Sequence, residues 1–83
     1  MRLLYFAWVR ERIGCGEEEL ALPDEVSNVG DLLAWLSLRG EDHAGALADR
    51  GRIRIAVNQD YVGDDAPVSD GDEVAIFPPV TGG

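Results

Sequence analysis

The chain closes on Pro78-Pro79-Val80-Thr81-Gly82-Gly83, and the carboxylate of Gly83 is the group best placed to do chemistry. Two prolines have no backbone N–H to donate and hold the chain extended, so a preceding strand cannot simply continue as a paired ladder. Gly82 and Gly83 lack Cβ, which lets them enter a channel too narrow for larger residues and allows another backbone or a ligand to approach closely. A carboxylate on such an arm is well placed to be handled inside another protein's active site. Taken alone, a Gly-Gly end also describes a frayed terminus of no consequence.

Little elsewhere in the chain competes for a chemical role. Cys15 is the single cysteine, which excludes an internal disulfide and any metal or iron–sulfur framework built on several thiolates. It lies between Gly14 and Gly16, a loop setting for an ordinary thiol. His43 is the single histidine and has no Ser or Cys motif beside it; it reads as a residue near the start of a short surface helix. A nucleophile, a base and a group to orient them cannot be assembled from these residues and scattered carboxylates, so a free-standing enzyme ranks last.

Sixteen acidic residues against seven basic ones give a formal charge of −9, and every basic residue is Arg. That balance argues against nucleic acid as a partner and steers the chain towards a basic protein. Without Lys, no side-chain amine exists on which copies could be linked through isopeptide bonds. The longest apolar run, Leu3 to Val9, is far below the roughly 20 residues that span a bilayer, and no basic leader precedes it. A soluble cytoplasmic protein without a membrane role is the expectation.

The elements that must position the tail can be read in order. Eighty-three residues suffice for one domain, taken as residues 1–78, with 79–83 as a flexible tail. Arg2 to Val9 is almost continuously apolar and predicts a central strand covered on both faces. Glu17 to Leu22, closed by Pro23-Asp24, predicts a more exposed strand joined to the first as a hairpin through Arg10 to Gly16. Asn28 is a good N-cap with Asp31 three residues on, and Val29, Leu32, Leu33 and Leu36 follow helical spacing. This main helix is expected to end at Gly40 with Arg39 in its last turn. A short helix over His43 to Arg50, with Ala44, Leu47 and Ala48 inward, is expected to stop at Gly51. Ile53 to Val57, a turn at Asn58-Gln59-Asp60, the pair Tyr61-Val62, a turn at Ser69 to Asp72 and the strand Glu73 to Phe77 complete a mixed sheet with one principal helix on a face.

Three segments carry a family resemblance. Phe6-Ala7-Trp8-Val9-Arg10-Glu11, Ala56-Val57-Asn58-Gln59 and Asp70-Gly71-Asp72-Glu73-Val74-Ala75-Ile76-Phe77-Pro78-Pro79-Val80-Thr81-Gly82-Gly83 resemble, in the same order, the ubiquitin-like sulfur carriers that serve as small subunits of molybdopterin synthases. Related thiamin sulfur carriers share the di-glycine but usually lack the acidic turn followed by Phe-Pro-Pro-Val.

The resemblance implies an α+β fold of the β-grasp kind and a carrier cycle at Gly83. An adenylating enzyme of the ubiquitin-activating type would use ATP and magnesium to make an acyl-adenylate, and a sulfur donor protein would displace AMP to leave a thiocarboxylate. The large subunit would then accept Pro79, Val80, Thr81, Gly82 and Gly83 into its own pocket, where cyclic pyranopterin monophosphate takes the sulfur. The carrier would bind no cofactor or metal itself. A docking patch beside the tail is implied at Tyr61 and Phe77, with Arg10 nearby as a polar contact; Tyr61 departs from the aliphatic residue expected there. From strand alternation alone, Phe77 fits either this patch or burial under the helix. Carriers for thiamin or another acceptor, carriers that double as protein modifiers, and an inert-tailed β-grasp interaction module are the alternatives.

Overall fold

The computed structural model describes residues 1–79. In chain order it contains β1 (Arg2–Tyr5), α1 (Ala7–Ile13), β2 (Glu17–Glu19), α2 (Val29–Ser37), α3 (Glu41–Leu47), a single 3-10 turn at Arg50–Arg52, β3 (Arg54–Val57), β4 (Asp60–Val62) and β5 (Glu73–Phe77). The strands form one mixed sheet in the order β2-β1-β5-β3-β4. Its centre is a parallel pairing of β1 with β5, which sets Leu3 beside Val74 and Tyr5 beside Ile76. All other pairings are antiparallel.

Period-2 alternation decides which face of the sheet meets the helices. Leu3, Tyr5, Ile55, Val74 and Ile76 point to one side and are buried with Val9 and Ile13 of α1, Leu32 and Leu36 of α2 and Leu47 of α3. The opposite face carries Leu4, Ala75 and Phe77, which are only half-buried. One face is therefore packed and one is open, as suits a sheet with antiparallel edges.

The first segment departs from the sequence expectation. β1 ends at Tyr5 instead of running to Val9, and only one of its faces is covered. The chain turns at Phe6-Ala7, with Ala7 in the left-handed region at φ 53°, and enters α1. Val9 and Ile13 lie one helical turn apart and are both buried, so burial at helical spacing outweighs the strand propensity of a continuous apolar run. Gly14 ends α1 at φ 99°, its N–H donating to the Arg10 carbonyl at 2.9 Å. β1 and β2 do pair antiparallel, but the connection between them is this helix rather than a tight hairpin.

α2 begins as its cap residues dictate. The Asn28 side chain accepts from the Asp31 N–H at 2.8 Å, and the Asp31 carboxylate accepts from the N–H and hydroxyl of Ser27. The helix ends at Ser37, three residues short of Gly40, which leaves Arg39 outside the last turn. α3 likewise starts earlier than expected, at Glu41, where two acidic residues suit the N-terminal dipole. This shift turns Ala46 and Leu47 inward, leaves Ala44 half-buried and exposes Ala48.

Two turns frame β5. Asn58 and Gln59, at φ 50° and 73°, form the left-handed pair that closes the two-residue hairpin between β3 and β4. The Asn58 amide also donates to Asp72 and accepts from the Glu73 N–H, both at 3.0 Å, tying the hairpin to the start of β5. At Ser69 to Asp72 the Asp72 N–H donates to the Ser69 carbonyl at 3.0 Å, and the Asp72 carboxylate accepts from the Ser69 N–H at 2.8 Å.

Candidate functional site

β5 leads directly to Pro78 and Pro79, both half-buried, so the sheet around β5 is the surface from which the tail departs. Val80, Thr81, Gly82 and Gly83 lie outside the described residues. The site can therefore be built up to Pro79 and no further.

Register assembles the open face across four strands. Leu4 pairs with Ala75, Ala75 with Ala56, and Ala56 with Tyr61, forming one row from β1 to the β4 edge. Phe77 is two residues beyond Ala75 on the same face, opposite Arg54. Tyr61 is 72 % exposed and its ring centroid lies 5.3 Å from that of Phe77, at a 49° tilt. Such a pair costs little to hold rigid and offers both apolar area and a hydroxyl, the combination favoured at protein interfaces. Of the two positions open to Phe77, the structure selects the open face.

Arg10 does not join this pair. It lies at the β1–β2 end of the sheet, away from Tyr61 and Phe77, lining a cleft with Leu4, Gly16 and Glu17. The guanidinium lies across Gly16, where an added Cβ would sit 3.2 Å from Nε. The expected patch thus has two ends joined by the row of small residues at Ala75 and Ala56. One further residue belongs beside it: Phe6 is 47 % exposed, and its N–H donates to the Ile76 carbonyl at 3.2 Å, placing it at the end of β5. Its position inside an unbroken apolar run gave no sign that it would surface.

The polar residues on the helix side form a separate cluster. Glu18 accepts from the Tyr5 hydroxyl at 2.6 Å, its same oxygen lies 2.9 Å from Nε2 of His43, and Arg39 is 3.7 Å from the other oxygen. Burial alone would favour the neutral acid, but the bonds from Tyr5 and His43 and the nearby positive charge outweigh it and hold the Glu18 carboxyl below its ordinary range. Burial and this carboxylate together push the Tyr5 hydroxyl far upward. His43 is consequently a well-packed structural partner, only 14 % exposed at its side chain, rather than a residue on the helix surface. Cys15 is half-buried, with its thiol pushed up by burial and by Glu18, which disfavours the thiolate a nucleophile would need.

Among the described residues, no group of three His, Cys, Asp or Glu is arranged to hold a metal ion, and no helix is long and apolar enough to cross a membrane. What the described residues present beside Pro78 and Pro79 is an aromatic pair, Tyr61 and Phe77, on an open sheet face.

A mixed five-stranded sheet with a parallel central pair and one principal helix packed across it is the β-grasp architecture of ubiquitin-like proteins. The ThiS family model matches residues 3–83, and the chain belongs to that family. It is 43 % identical over 83 residues to the molybdopterin synthase sulfur carrier subunit of Escherichia coli (strain K12), covering 100 % of this chain and 99 % of that protein. It is 33 % identical over 91 residues to small archaeal modifier protein 3 of Haloferax volcanii, covering 100 % of this chain and 98 % of that one. Among solved structures it resembles the putative molybdopterin converting factor, subunit 1, from Pyrococcus furiosus, with TM-score 0.77, 34 % identity and 95 % of each chain covered.

Proposed function

We propose that this protein is the sulfur carrier subunit of a molybdopterin synthase. The observation that carries the proposal is the match to the Escherichia coli subunit at 43 % identity, across 100 % of this chain and 99 % of that protein. The Gly83 carboxylate attacks the α-phosphorus of ATP, with magnesium, on an adenylating partner; pyrophosphate leaves and an acyl-adenylate forms. The outer sulfur of a donor protein's persulfide then displaces AMP, and a thiol reductant cleaves the resulting acyl disulfide to leave a thiocarboxylate, a soft nucleophile at neutral pH. In the large subunit the thiocarboxylate gives its sulfur to cyclic pyranopterin monophosphate, and two charged carriers complete one dithiolene.

The chain itself supplies no acid, base or metal ligand to this cycle. Its own part is to dock and to deliver. Tyr61 and Phe77 bury an aromatic surface against each partner, Arg10 adds a charged contact at the far side, and Pro79, Val80, Thr81, Gly82 and Gly83 enter the partner's active site. Residues 1–78 act as the docking body and residues 79–83 as the arm. The working assembly is two large and two small subunits in the cytoplasm.

A second reading rests on the likeness to small archaeal modifier protein 3: the same activated terminus is transferred to an amine of another protein. Both readings require Gly83, so removal of that residue separates them from an inert interaction module. Truncation at Gly82 is expected to abolish sulfur transfer while leaving folding and large-subunit binding unchanged. Full synthase activity in the truncated protein would overturn the carrier reading, and conjugates formed only with the intact tail would favour the modifier.

A further inference from the structure

The outer side of α2 and its C-cap carries a short apolar stripe, in which Ala34 and Leu38 are exposed and Trp35 is only partly buried against the core. Val29, Leu32, Leu33 and Leu36 face the sheet and are buried. Asp31, Ala34, Trp35 and Leu38 recur at the i, i+3, i+4, i+7 spacing of one helix face, and with Glu25 and Val26 they line a groove of about 410 Å³. Leu38 is 84 % exposed, more than either Tyr61 or Phe6, the other exposed large hydrophobic residues among those described. A leucine so placed at a helix end adds nothing to the core.

We propose that this groove is a second docking surface, and that its occupant is the sulfur-donating protein, held through a bulky apolar side chain flanked by Arg or Lys. The inference rests on the carrier reading above. Charge selects the occupant: the groove is rimmed by the carboxylates of Glu25 and Asp31 on a chain of formal charge −9, which repels a second copy of itself and attracts a basic segment. Position fits the same occupant. The stripe points away from the sheet, so a partner seated on it does not displace one seated on Tyr61 and Phe77. An acyl-adenylate left in water hydrolyses, so the adenylating partner must keep its hold on the sheet face while sulfur arrives. The donor therefore needs a face of its own.

The test follows thiocarboxylate formation by intact mass spectrometry in the presence of the adenylating enzyme, ATP and magnesium. Sulfur is supplied either by a sulfurtransferase carrying a cysteine persulfide, with dithiothreitol as reductant, or by sodium sulfide, which needs no docking. Leu38→Asp and Glu25→Arg alter exposed side chains, and circular dichroism checks that each variant folds. Both are expected to slow charging by the protein persulfide at least tenfold while adenylate formation and charging by sulfide stay at the wild-type rate. Equal charging of wild type and variants by the protein persulfide would overturn the proposal, as would loss of adenylate formation in the variants, since the groove would then serve the adenylating partner. Failure of the wild-type chain to form an adenylate at all would instead remove the carrier reading itself.

Discussion

The ring of Tyr61 on the edge strand β4 rests 5.3 Å from the ring of Phe77 on β5, across the open face of the sheet. β3 lies between these strands, and the small residue Ala56 in the row between Ala75 and Tyr61 leaves room for the two rings to lean together. Phe77→Ala is expected to weaken binding of the large subunit by about 2 kcal/mol, the scale of an aromatic interface anchor. That is roughly thirtyfold in Kd. Titration calorimetry on a variant with unchanged circular dichroism measures it, and an unaltered Kd would remove Phe77 from the docking surface.

Glu18 joins β2 to Tyr5 of β1 and His43 of α3, and its carboxyl titrates below the ordinary value of 4.5. A carboxyl more acidic in the folded chain than in the unfolded one contributes stability that is present above about pH 4.5 and disappears as pH falls through the lower, folded value. Glu18→Gln is therefore expected to cost about 1–2 kcal/mol at pH 7. Urea denaturation should show the gap between variant and wild type narrowing as pH falls below about 4.5. A gap that stays constant over that range would mean that charge on Glu18 has no part in the stabilisation.

The start of α2 depends on one side-chain oxygen, that of Asn28, which satisfies the Asp31 N–H at 2.8 Å. Asn28→Ala leaves that donor to water and is expected to cost about 1 kcal/mol, a Tm lower by roughly 4–8 °C in a domain of this size. Scanning calorimetry checks it. A Tm within a degree of wild type would show that packing of Val29 and Leu32 alone fixes the helix start.

What the sequence revealed and what it concealed have physical causes. Val29, Leu32, Leu33 and Leu36 keep one helical period behind a strong N-cap, so α2 was legible, and the alternation Glu73 to Phe77 between a turn and two prolines made β5 equally plain. α1 was not. Its N-cap, Phe6, makes no side-chain capping bond, and its period is carried by only two buried residues, Val9 and Ile13, inside a run whose apolar content suits a strand as well. Alternation showed that Phe77 and Ala75 share a face but not which face is open; that was decided only when α1, α2 and α3 packed against the side of Val74 and Ile76. The Glu18 cluster could not be read, since its members stand 13 and 25 residues apart and meet only once α3 folds back towards the sheet edge. Leu38 is out of phase with Val29, Leu32, Leu33 and Leu36, and its exposure depends on no other element covering that side of α2, which local sequence does not show.

The most direct test of the carrier cycle is the intact mass of the chain after incubation with the adenylating enzyme, ATP, magnesium and a sulfur source, and again after addition of the large subunit and cyclic pyranopterin monophosphate. The expected result is replacement of one oxygen by sulfur, located at Gly83 by fragmentation and lost only when both later components are present. A mass that never changes in the first incubation would contradict the sulfur carrier function.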